Sequence, residues 1–295
     1  MNDNTFEDNT EPRVSDILKR VSFQHKCKLF ATSGLVIVEN LLEVFYPLAS
    51  GIALDAVIRG DTPTALATVI VIFMFWVVGA IRRAADTRVY SAIYSDLVQN
   101  IIKGESQQSI DKKVTIAHAN LAIQFVDFFE DQIPAIFTAL LSVFGSVIML
   151  IILEPVVGWV AFVLSALFLL LAVYFTKFSK YLATCLHHRL EEQPRVIVQG
   201  RMSSIKRHFR ILSGRKIALS DLEAKANIVV GLMIAILFST LFIHLSDQTG
   251  VSPGHIYTLM NYIWSFALGV DEMPFQLQEL GKVLELRNRI RINIR

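Results

Sequence analysis

Residues 133–153 read IPAIFTALLSVFGSVIMLIIL and residues 156–176 read VVGWVAFVLSALFLLLAVYFT, with Glu154 and Pro155 between them. Glu154 is the single formally charged residue from Gln132 to Thr176. A helix needs roughly 20 apolar residues to cross a hydrocarbon core of about 30 Å, and each half meets that length. Pro155 has no N–H with which to continue the first helix, and beside a charge it marks a tight turn in water. The stretch is a membrane hairpin, and the sequence on either side repeats it.

Composition agrees. The chain has 295 residues, 53% of them hydrophobic and 18% charged, where a soluble domain carries about 25% charge. Its mean hydropathy is +0.49. The net charge of +2 is small, so the placement of the charges matters more than their sum. Cys27 and Cys185 both fall beside basic segments and read as free thiols on the cytosolic side. Residues 1–13 form a polar leader without the features of a cleaved signal peptide. Residues 14–25 suit a short interfacial amphipathic helix, an elbow before the first span. Ser15 or Asp16 would cap it, and Ile17, Leu18 and Val21 would give it an apolar face.

From residue 26 to 292 we expect an all-α domain of six spans, about 29–56, 62–84, 133–153, 156–176, 226–246 and 251–272. Arg82-Arg83 ends the second apolar run, but Ala85, Val89, Ala92 and Ile93 keep the helical spacing as far as about Ile102. Such a helix is close to 60 Å long, about twice what a bilayer needs, so it projects beyond the membrane. Gly104 and the polar run after it break the pattern, and a helix resumes near Thr115. The fourth helix also continues past Thr176, up to Pro194. The basic segment 201–216 reads as a turn region, and Ser220 to Glu223 as a capping box or a helix interior. Pro274 is expected to kink or end the sixth span. Among all Lys and Arg residues, only Arg59 falls in one of the short turns near Arg59, Glu154 and Asp247. The positive-inside rule then places the long connections and both termini in the cytoplasm, for a multi-pass protein of the plasma (inner) membrane.

This arrangement resembles the membrane domain of an ABC exporter. The likeness is carried by Phe45-Tyr46-Pro47-Leu48 through Gly51-Ile52-Ala53-Leu54-Asp55-Ala56 at the end of span one, and by Arg88-Val89-Tyr90 to Asp96-Leu97 in the second-helix extension. It continues in Phe125-Val126-Asp127-Phe128-Phe129 before span three and Tyr262-Ile263-Trp264 to Pro274 in span six. The resemblance implies a dimer, with an identical or a similar six-span chain, enclosing one cavity. It also implies alternating access, with the long helices as levers and a lipophilic or amphipathic small molecule expelled. One departure is sharp. Exporters of this type usually carry an ATPase domain after the sixth span, and no glycine in these residues starts a G-x-x-x-x-G-K-[ST] phosphate loop. Leu212-Ser213-Gly214 is like the start of the family's ATPase signature but does not continue as that signature does. We therefore expect no enzymatic activity in the chain itself and no cofactor.

Three functions compete. A separately encoded ATPase docks on the two cytosolic turns, with Ile110, Lys112, Lys206, Arg207 and Arg210 as contacts. Alternatively the chain is an ATP-independent exporter, proton-coupled through Glu43. In the third reading it transports nothing and acts as a membrane regulator or structural subunit.

The substrate-pathway candidates are Asn40, Glu43, Tyr46, Trp76, Trp264 and Phe266. Glu43 shares a helix face with Asn40 and Pro47. Carboxylates are costly in hydrocarbon and usually face a cavity or a partner; the bland alternative is a protonated Glu bonded to a neighbouring helix. Trp264 and Phe266, deep in span six, suit a cavity better than Trp159, which reads as an interfacial anchor. Asp127, Glu130 and Asp131, with Asp271 and Glu272, form either an acidic vestibule or solvated helix-end charges. The basic run Lys206-Arg207-His208-Phe209-Arg210 reads as positive-inside charge near anionic lipid, not as a nucleic-acid footprint. Cys185 and His188 share a face, too few ligands for a metal.

Overall fold

A computed structural model of the chain describes residues 25–107, 112–198 and 200–292. The polar leader and, apart from His25, the expected elbow segment lie outside the described residues, as does Ile110. Every described element is helical: α1 (Lys26–Ile58), α2 (Thr62–Gln107), α3 (Lys112–Asp127), a wide π-turn (Phe128–Gln132), α4 (Ile133–Leu153), α5 (Pro155–Val198), α6 (Met202–Ser246) and α7 (Pro253–Ile292). Five of these segments are long and apolar enough to cross a membrane. The expected sixth span lies on α7, whose polar residues His255, Thr258 and Asn261 keep its apolarity lower. Protein encloses much of this helix, and a span shielded by neighbours need not be apolar all round. The result is an all-α membrane domain with six long helices and extensions well past bilayer thickness. α2 has 46 residues, α5 has 44 and α6 has 45.

The turns follow from local chemistry. Pro155 and Pro253 each occupy the first position of a helix, where a missing N–H costs nothing. Glu154 closes one helix and opens the next: its N–H donates to the Leu150 carbonyl, and its own carbonyl accepts from Gly158. A Cβ on Gly158 would collide with the Ile151 backbone, so the hairpin needs glycine there. Asp61 accepts from the Thr64 N–H at 3.2 Å, and its hydrogen bonds to Thr64 hold its carboxyl below the usual range.

Three expected helix ends are not ends. The basic segment 202–216 is the start of α6, and residues 220–223 lie inside that helix. The turn is confined to the few residues around Gly200, whose φ of +67° stops the chain as a left-handed glycine does. No proline interrupts α6, and exposed charge does not by itself oppose a helix. α5 runs through Pro194 to Val198, and α7 runs through Pro274 to Ile292. Each proline removes one hydrogen bond from a helix of 40 residues or more, whose remaining ladder is left in place.

The chain divides into two units. One consists of Met1–Glu39, Trp76–Pro134 and Leu280–Arg295. Its described core is Ile93, Leu97 and Ile101 of α2 against Val126 of α3, with Leu29, Val89 and Tyr90 packed on it. His25 and Asp96 meet at 2.9 Å. Within this unit the Arg82 guanidinium bonds the Glu39 carboxylate through Nε and the Asp86 carboxylate through an NH₂ group at 2.7 Å.

The other unit consists of Asn40–Phe75 and Ala135–Glu279. Its core joins stripes at helical spacing: Val143, Val147 and Leu150 of α4; Val157, Ala161, Leu164, Phe168 and Ala172 of α5; Val230, Met233, Leu237 and Leu241 of α6; Leu259, Ile263, Phe266, Val270 and Met273 of α7. The intervals of three and four residues keep one side of each helix against the others.

Candidate functional site

Within the second unit, Pro47 interrupts α1 one turn after Glu43. It has no N–H for the Glu43 carbonyl, so the helix loses a bond where it carries a carboxylate. α7 supports the weakened segment. The Tyr262 hydroxyl donates to the Val44 carbonyl at 2.8 Å, and the Thr258 hydroxyl reaches the Pro47 carbonyl at 3.3 Å. Near the end of α1 the two helices approach through glycines. A Cβ on Gly51 would fall on the Thr258 hydroxyl and 2.5 Å from the Gly254 carbonyl. Asp55 completes the joint, accepting from the Ser252 hydroxyl at 2.6 Å and from the Gly254 N–H at 2.7 Å. It thereby serves the first turn of α7, where N–H groups lack intrahelical partners.

Beside this joint lies an open groove. α1 contributes Asn40, Glu43, Val44 and Pro47; α4 contributes Leu141, Ser142 and Ser146; α7 contributes Tyr262 and Ser265. Asn40, Pro47, Ser146 and Tyr262 are buried, whereas Glu43 is exposed in the single chain. The Ser142 hydroxyl donates to the Ser265 carbonyl at 2.8 Å and fixes α4 to α7 at the groove wall. Carboxylate, amide, hydroxyls and phenol surround space within helices that are otherwise apolar. Such a lining is suited to a ligand with both polar and apolar parts, Val44, Pro47 and Leu141 supplying the apolar surface.

Of the residues the sequence singles out, Asn40 and Glu43 come together here. Tyr46 turns outward, in tilted contact with Phe75 at 6.1 Å between ring centres. Trp76 and Trp264 are exposed on their helices. Phe266 is 1% exposed and belongs to the packed core, because Leu259, Ile263 and Phe266 form the stripe of α7 that meets the other helices. Sequence reasoning missed Ser142, Ser146 and Ser265. Their signal was a small polar side chain recurring in helices made of Leu, Ile, Val and Phe. It also missed Glu39, whose position in span one required a cation that Arg82 supplies.

Lys206, Arg207 and Arg210 are exposed on the first turns of α6, while His208 between them is buried. Ile110 and the side chain of Lys112 lie outside the described residues. Asp127, Asp131, Asp271 and Glu272 are exposed. Cys27 and Cys185 are free thiols, and His188 faces Glu192 at 3.8 Å. Among the described residues no group of three or more His, Cys, Asp or Glu is arranged to hold a metal ion.

No curated protein matches the chain. The family model of the ABC transporter transmembrane region matches residues 18–254, which include α1 to α6, the π-turn and the start of α7. With that match over most of its length, the chain belongs to the ABC transporter transmembrane region family.

Proposed function

We propose that this membrane subunit exports a lipophilic or amphipathic small molecule by alternating access, with Asn40, Glu43, Ser142, Ser146, Tyr262 and Ser265 as its contact surface. The observation that carries this reading is the groove: a carboxylate and several hydroxyls line space at the proline-weakened turn of a membrane helix. Two copies, or this chain and a similar one, enclose the full cavity, since the groove of a single chain is open and its Glu43 is exposed. The protein sits in the plasma membrane with its basic connections on the cytoplasmic side. ATP hydrolysis comes from a separate subunit docked on the exposed Lys206, Arg207 and Arg210.

The test is transport in proteoliposomes containing the full chain with any ATPase that copurifies from its native membrane. ATP-dependent movement of a fluorescent amphipathic cation is expected. Glu43→Gln should lower it about tenfold, the loss expected for one charge-assisted contact of about 1.4 kcal/mol. Charge reversal at Lys206, Arg207 and Arg210 should release the ATPase while the chain remains folded. Flux that persists without any ATPase and follows an imposed pH gradient would replace ATP with a proton as the driver. Absence of flux under both conditions would sink the transporter reading.

A further inference from the structure

The turn residue Glu154 does more than end a helix. Its carboxylate receives one imidazole on each oxygen: His244 Nε2 lies 3.1 Å from Oε2, and His255 Nε2 lies 3.0 Å from Oε1. The Gln248 side-chain amide lies 3.0 Å from the same His244 nitrogen. Glu154 lies in the α4–α5 turn, His244 in the last turn of α6, Gln248 in the turn after it and His255 in the first turn of α7. The Glu154 side chain is 11% exposed and the two histidines 30% and 29%, so the cluster is shielded but open to protons from the medium. The other charged groups near it are Asp55 and Arg59 at the end of α1, which interact with each other, Asp55 also acting on His255, and the exposed Asp247 after α6. α4 has no charged residue, and the first on α5 is Lys177, far along that helix.

From this geometry we infer that Glu154, His244 and His255 form a proton-responsive clasp that holds the α4–α5 and α6–α7 hairpins together on the side of the membrane opposite the basic connections. With neutral imidazoles, the carboxylate accepts two N–H bonds from uncharged donors. When an imidazole takes up a proton, its bond to the carboxylate becomes an ion pair and strengthens. The clasp is therefore tighter when acid has protonated an imidazole while the carboxylate keeps its charge. Two imidazolium ions on one carboxylate repel each other, so a single proton shared by the pair gives most of the effect. The inference rests on the alternating-access reading for its consequence, that outside acid holds this end of the bundle shut. Its structural content does not depend on transport.

The experiment uses the full chain in lipid nanodiscs, with Cys27→Ser and Cys185→Ser to remove the native thiols. Spin labels are placed at Val156→Cys and Thr249→Cys, both exposed and one on each hairpin. Distances are read by electron paramagnetic resonance at pH 5.5 and pH 8.0. We expect the ratio of short to long distances to rise about fivefold on acidification, the gain from strengthening one such bond. His244→Gln with His255→Gln should keep the fold, checked by elution volume and helicity, and remove the pH response. Glu154→Gln, which keeps an acceptor without the charge, should reduce it. A distribution that does not move with pH in the parent overturns the clasp, as does a full pH response in the double histidine variant. Either result leaves the transport assay above untouched, so the two readings fail separately.

Discussion

Glu39 and Glu43 stand one turn apart on α1, yet their surroundings differ in kind. Glu39 is bonded to Arg82, which also holds Asp86, and the three side chains are 14%, 17% and 6% exposed. Glu43 lines a groove whose other polar groups are hydroxyls and an amide. A carboxylate within a membrane helix is costly and usually faces a partner or a cavity. The Arg82 network supplies that partner inside the protein, so its role is to hold α1 and α2 together. Glu43 instead lies exposed at the groove in the single chain, where the proposed function places it on the substrate path.

The largest effect should come from breaking the network. Arg82→Met leaves two carboxylates without their cation, and it should destabilise the protein by about 3–5 kcal/mol, seen as a lower melting temperature in detergent. A melt unchanged from the parent would show that the network contributes nothing. Next comes the joint beside the groove. Gly51→Val drives a side chain into Thr258 and the Gly254 backbone, which should cost about 1–3 kcal/mol and loosen α1 from α7. Tyr262→Phe removes only the bond to the Val44 carbonyl and should cost about 1 kcal/mol in the same melt. Glu43→Gln, which keeps the shape and hydrogen-bonding capacity of the side chain, should change stability by less than about 0.5 kcal/mol while depressing transport. If Glu43→Gln unfolds the protein and Arg82→Met does not, the assignment of the two carboxylates is reversed.

Much of this was legible in the sequence. The uncharged runs on either side of Glu154, the asymmetry of Lys and Arg, and the helical spacing beyond Arg83 each act locally, through the bilayer or through one helix. Asn40, Glu43 and Pro47 could be grouped for the same reason, since they share one face of one helix. The aromatic residues could not be sorted that way. Phe266 in the core and Trp264 on the outside are two residues apart, and only the packing of α7 against its neighbours distinguishes them. The basic segment before span five was misread as a turn because charge resembles a loop in composition, although nothing in it stops a helix.

Hydropathy and charge therefore determined from sequence alone that the chain is an all-α membrane domain and where its hairpins turn, because the solvent acts on each segment separately. Tertiary structure decided which polar groups meet: Glu39 with Arg82, Ser142 with Ser265, Tyr262 with the Val44 carbonyl, and Glu154 with two histidines about a hundred residues further along. Such pairs join residues of different helices, and their partners are fixed by how small side chains such as those of Gly51 and Gly254 let the helices approach. Periodicity along one helix contains no information about that approach, because it depends on the side chains of two helices at once.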